Sequence, residues 1–208
     1  MLSLETLLTF ITAAAILAFV PGPDNLFVLT LSAARGWRAG VMVTLGLCTG
    51  LVVHTTAVAL GVAVIFQQSQ LAFTLLKAAG AAYLLYLAYK SFRASPEALG
   101  GAKAGADRYM ALYGRGIVMN VTNPKVAIFF LAFLPQFASP ERGGVTVQIF
   151  LLGAVFAAVA LVCFSAIAVL AGGLNRWLVR SSNAQVILNR IAGVVFIGLA
   201  IKLATAQR

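Results

Sequence analysis

The chain has 208 residues, 62% of them hydrophobic and only 10% charged, with a mean hydropathy of +0.99, which excludes a soluble globular domain and indicates an integral membrane protein. Its net charge of +10 would suit a nucleic-acid binder only if the basic residues shared one solvated face. They fall instead in short connections between apolar spans, so the expected partner is the lipid bilayer and not nucleic acid.

The first span runs from Leu2 to Val20. It carries Glu5 where a signal peptide would carry a basic n-region, so it is expected to be retained. Pro21-Gly22-Pro23 interrupts it, and it resumes as a half-helix to about Ala34 that is too short to cross alone. After Arg35-Gly36-Trp37-Arg38 a second span covers Ala39 to Phe66, roughly 42 Å long against about 30 Å of hydrocarbon. A polar turn from Gln67 to Gln70 leads to a third span, Leu71 to Tyr89, which holds Lys77 and ends in an interfacial cluster of Tyr83, Tyr86 and Tyr89. Residues 90–115, with Pro96 and several glycines, read as a basic linker between a first repeat, 1–89, and a second, 116–208.

The fourth span starts near Gly116, breaks at Asn123-Pro124 and resumes from Val126 to Leu134. Ser139 to Gly144 forms a turn, the fifth span covers Val145 to Leu170, and the sixth ends near Leu203 after a basic connection. The fold class predicted is therefore an all-α membrane protein of six transmembrane helices. The first and fourth are discontinuous, arranged as a 3+3 inverted repeat. Connections after spans one, three and five hold ten Lys and Arg, against Arg142 alone after spans two and four; the positive-inside rule then places both termini outside.

Prolines inside spans strip backbone hydrogen bonds that lipid cannot replace, so two such breaks point to one shared cavity. Gly22-Pro23 and Asn123-Pro124 both read as a cap followed by proline at the first helical position. Each half-helix thus turns a partly positive end into the membrane, suited to an anionic substrate group. Asp24 follows the first break and Lys125 occupies the matching place after the second. An intramembrane charge is costly, and the two are expected to approach each other and line a substrate cavity, with a structural ion pair or snorkelling lysine as the alternative. Pro21, Gly22, Pro23, Asp24, Asn25, Asn120, Asn123, Pro124, Lys125 and Gln136 are the substrate-binding candidates, although each amide would equally satisfy backbone freed by a break. Asp24 and His54 are the proton-coupling candidates; His54 would also serve as an interhelical hydrogen-bonder on the small-residue stripe of Gly46, Gly50, Ala57 and Gly61. These small-residue faces are expected to pack helices within the subunit, with a homodimer as their alternative use.

No HExxH, GxSxG or Walker A motif and no pair of intramembrane carboxylates occurs, so neither an enzyme nor an ATP-driven motor is expected. Cys48 and Cys163 lie mid-span as small apolar side chains, and no metal or cofactor is expected. The alternative from another class is a scaffold or subunit of a larger membrane complex, which leaves the two charged breaks without a purpose.

Pro-Gly-Pro-Asp at 21–24, Arg-Gly-Trp-Arg-Ala-Gly at 35–40, Gly46, His54 and Asn-Pro-Lys-Val-Ala-Ile-Phe-Phe-Leu-Ala-Phe-Leu-Pro-Gln-Phe at 123–137 resemble the LysE/RhtB family of amino-acid exporters over nearly the whole chain. The resemblance implies a bacterial inner-membrane permease that expels amino acids such as homoserine, threonine or leucine, driven by the proton motive force. The proline-glycine-proline form is more similar to the homoserine/threonine branch than to the lysine branch.

Overall fold

The computed structural model describes residues 2–20, 22–68, 70–94, 108–180 and 182–205. These form eight α-helices, α1 (Leu4–Phe19), α2 (Pro23–Arg35), α3 (Trp37–Gln68), α4 (Gln70–Arg93), α5 (Tyr109–Val121), α6 (Pro124–Ala132), α7 (Val145–Arg180) and α8 (Ser182–Thr205), with 3-10 turns at Leu134–Phe137 and Pro140–Arg142. No strand occurs among the described residues. Among the described residues three helices, within Trp37–Gly61, Val145–Ala171 and Gln185–Thr205, are long and apolar enough to cross a membrane, and counting each bent pair as one span gives up to five. That is one short of the expected six, counted among the described residues.

Both proline breaks lie where the sequence put them. Ser3 opens α1, its hydroxyl accepting the Thr6 N–H at 3.2 Å, and α1 ends at Phe19. The chain restarts with Pro23 at the first position of α2, at 60° to α1, and with Pro124 at the first position of α6, at 54° to α5. Gly36, at φ 88°, closes α2 in a conformation that favours glycine, its N–H returning to Ser32 O at 2.8 Å.

Several boundaries differ from expectation: α3 and α4 take up Gln67, Gln68 and Gln70 of the expected polar turn, α4 runs past Tyr89 to Arg93 in the expected linker, and Arg176, Arg180 and Arg190 of the expected basic connection lie within α7 and α8. α5 begins at Tyr109, inside the stretch read as linker, and α7 runs ten residues beyond Leu170 to Arg180. Gly114 signals a loop by propensity, but the helix is already formed there, and at Gly116 it touches α3. A Cβ on Gly116 would collide with Val43 O, and one on Gly46 with Tyr113 O. Close backbone approach outweighs the weak helix propensity of glycine. Gly50 likewise sits on Asn120 and Gly153 on Thr55, so these small-residue faces pack helices within the subunit.

The most extensive contacts join α3 to α5, α3 to α7 and α4 to α8, followed by α7 to α2 and α1. Each long helix thus packs on the broken helix of the other half. At one end of the bundle Phe10, Phe129, Phe130, Phe133, Phe137 and Phe156 form a continuous ring cluster with centroids 4.7–6.4 Å apart. Outside it, the Arg142 guanidinium donates to Ser3 Oγ and Thr6 Oγ1, both at 3.1 Å, and so ties the 140–142 turn to the start of α1. Tyr86 and Tyr89 are exposed and lie beneath the cations of Lys90 and Arg93, an arrangement suited to a membrane interface.

Candidate functional site

Each break leaves carbonyls without their helical donors, and residues from the other side of a break supply replacements. Asn25 Nδ2 reaches back over the first break to Ala18 O at 2.5 Å. Val20 O, the last carbonyl before the break, accepts from Lys125 Nζ at 3.2 Å. The ammonium that follows the second break therefore serves the negative end of α1, which answers how a cation is tolerated there.

In a continuous helix the N–H of residue 124 would bond to Asn120 O, but Pro124 has none. His54 Nε2 lies 3.0 Å from that carbonyl, beside the Asn123 N–H at the same distance. A carbonyl only accepts, so Nε2 carries the hydrogen. His54 is an interhelical hydrogen-bonder that completes a proline break.

Asn123 joins the two breaks. Its Oδ1 accepts the Lys125 N–H at 3.0 Å as the cap of α6, and its Nδ2 donates to Asp24 Oδ2 at 2.9 Å. Asp24, Asn120 and Asn123 are 5%, 2% and 7% exposed. Asp24 Oδ1 and Asn120 Oδ1 are buried without a partner. That is unusual, because most buried polar atoms in native proteins are paired. Among the described residues no cation forms an ion pair with Asp24: Lys125 shares its cavity but is engaged with Val20 O.

The cavity is lined by Gly22, Asp24 and Asn25 of the first break, Asn120, Asn123 and Lys125 of the second, and an apolar wall that includes Leu47, Cys48 and Leu51 of α3 and Phe156 and Phe164 of α7. Its volume of about 30 Å³ holds about two waters at ~10–15 Å³ each. Of the other candidates, Pro23 and Pro124 set the breaks without lining the cavity. His54 stands behind Asn120, and Gln136 lies elsewhere, its amide returning to Ala132 O at 3.3 Å. Pro21 lies outside the described residues. The apolar wall was missed by sequence reading. Its only signal is spacing, Leu47 and Leu51 along α3 and Phe156, Ala160 and Phe164 along α7, which is the same spacing that core residues show.

Residues 15–207 match the family described as LysE type translocator. The chain is 31% identical over 206 residues to the homoserine/homoserine lactone efflux protein of Salmonella typhimurium, covering 99% of both chains. It is 29% identical to the uncharacterized membrane protein YrhP of Bacillus subtilis, over 96% of this chain and 98% of the relative. It is also 30% identical to an uncharacterized membrane protein of Vibrio cholerae, over 96% and 97%. No solved structure matches it significantly.

Proposed function

Because the chain belongs to the LysE type translocator family, we propose that it is a secondary active transporter that exports small amino acids of the homoserine, threonine and leucine kind across the bacterial inner membrane, coupled to protons. The observation that carries this reading is the buried cavity where two broken helices bring Asp24, Asn120, Asn123 and Lys125 together. Discontinuous helices meeting mid-membrane are the usual site architecture of secondary transporters. The efflux activity named for the Salmonella relative supports the direction and the substrate class.

Six spans in a 3+3 inverted repeat complete the proposal, with α4 as the third. The pattern of packing supports it: exchanging α1–α4 with α5–α8 maps the pairing of α3 with α5 onto that of α7 with α1, and leaves the α3–α7 and α4–α8 pairs in place. Both termini face outward, and a reporter fused after Arg208 that is active only in the cytoplasm would overturn that topology. The cavity as described is smaller than an amino acid. Substrate passes when the halves part, alternately on the two sides.

The test is efflux from proteoliposomes preloaded with labelled neutral, basic and acidic amino acids, with and without a pH gradient. Efflux of small neutral amino acids, accelerated by a gradient that drives protons inward against the efflux and slowed in Asp24→Asn, is the expected result. Absence of efflux of any amino acid from well-folded protein would favour a scaffold within a larger membrane complex.

A further inference from the structure

We infer that the substrate's primary ammonium and the coupling proton take turns at one place, the part of the cavity lined by Asp24 and Asn120, whose Oδ1 atoms are both left without a partner. The inference rests on the export reading and specifies what its site recognises. The polar chemistry left open in this cavity is acceptor chemistry. Asp24 Oδ2 is already served by Asn123 Nδ2 at 2.9 Å, whereas Asp24 Oδ1 and Asn120 Oδ1 are buried with no donor. The cavity's cation is committed, since Lys125 Nζ donates to Val20 O.

The neighbours of Asp24 leave it no substitute as the proton's carrier. α6 contributes Lys125. α3 contributes His54, whose Nε2–H is directed at Asn120 O, and Cys48, whose thiol donates to Ala157 O at 3.6 Å. α5 contributes the amide of Asn120, and the α7 wall of Phe156, Ala160 and Phe164 has nothing that titrates. Asp24 is the one acid among the lining residues. An ammonium carries three hydrogens in a tripod and can serve both oxygens, whereas a proton on Asp24 Oδ1 makes that atom a single donor, with Asn120 Oδ1 as an acceptor in the same cavity.

The exchange balances. Protonated Asp24 and an arriving R–NH3+ give a carboxylate–ammonium pair and one proton released to water, and the reverse step on the far side takes up a proton as the ammonium leaves. One proton thus enters for each ammonium expelled. The substrate class that follows is any small molecule with a free primary ammonium and a short, largely apolar body, including esters and lactones that lack a carboxylate. N-acylated amino acids are excluded.

The experiment measures proton release from purified wild-type protein in detergent micelles, weakly buffered at about pH 6, where the free ammonium of each probe is charged. Homoserine and homoserine lactone are each expected to release protons, up to roughly one per site, and N-acetylhomoserine none. Asn120→Ala, which keeps the acid but loses its companion oxygen, is expected to need about tenfold more homoserine for half-maximal release. Solute counterflow of homoserine in proteoliposomes without a pH gradient is measured alongside. Counterflow without proton release, or equal release by the N-acetyl compound, overturns the shared place and leaves the export reading standing. Absence of both signals overturns both.

Discussion

The two proline breaks have nearly the same geometry and opposite chemistry. At the second, Asn123 caps α6 with its own side chain and His54 supplies the donor that Pro124 lacks, so that break is closed. At the first, Gly22 offers α2 no side-chain cap, Val20 O borrows the ammonium of Lys125, and Asp24 Oδ1 is left unpartnered. A closed break is scaffold and an open one is a site. The comparison teaches that pseudo-symmetric elements divide the work: the second break, its backbone closed, holds the first in shape and adds the unpartnered Asn120 Oδ1, and the first retains the unmatched carboxylate oxygen on which ligand chemistry acts.

The largest effect expected from breaking this division comes from Lys125→Met. It strips Val20 O of its donor and leaves Asp24, once it has given up its proton, as a buried carboxylate with no cation in its cavity, a situation that costs about 3–5 kcal/mol. Thermal unfolding in detergent should fall accordingly. Lys125→Met combined with Asp24→Asn should recover most of the loss, because the uncompensated charge is gone, yet transport should stay absent. A double-mutant cycle with no coupling between the two positions would mean that they do not act on one another and that the division is misdrawn.

Next in size is Asn123→Ala, which removes the cap of α6 and the donor to Asp24 Oδ2 together. Loss of an N-cap costs about 1 kcal/mol, and a buried carboxylate oxygen left unpaired about 1–3 kcal/mol more. His54→Leu should cost less, about 1 kcal/mol, since the Asn123 N–H still serves Asn120 O. His54→Gln, which keeps a donor, should be milder still. If gradient-driven efflux survives in His54→Gln at near wild-type rate, His54 is a structural donor and Asp24 is left as the proton carrier. If efflux loses its response to the gradient while the protein stays folded, His54 joins the proton path.

What the sequence made legible is what proline and glycine dictate locally. Pro23 and Pro124 mark where helices restart, because a residue without an N–H can sit at the first helical position and nowhere deeper without a kink. Gly46 and Gly50 mark a close helix contact, which the structure assigns to α5. Lys125 was harder to read. Its charge points to Asp24 as a partner, but a helix C-terminus is also an anion, and which of the two lies nearer is settled by the fold and not by residue types. The start of α5 at Tyr109 was not legible either, because residues 109–115 continue a charged, glycine-containing stretch, and it is the close contact of Gly116 with α3 that shows how the helix is seated. Phe156 and Phe164 were invisible as lining residues, because an apolar cavity wall and an apolar core share one periodicity.

The smallest effect is the sharpest probe of how tightly the two breaks are joined. Gly22 sits at φ −169°, extended backbone that any residue adopts, so Gly22→Ala introduces no backbone strain and gains a few tenths of a kcal/mol by restricting the unfolded chain. Its new Cβ would lie 3.4 Å from Lys125 Nζ and 3.8 Å from Lys125 Cδ, the far end of a side chain that can yield. Stability should therefore change by less than about 0.5 kcal/mol, while the ammonium is nudged against its bond to Val20 O, and the gradient response of efflux should shift only slightly. A loss as large as that of Lys125→Met would mean that the bond tolerates no displacement, and the first break would then be as rigidly closed as the second. A neutral result leaves Lys125 as a flexible tie across a break that must open each time substrate passes.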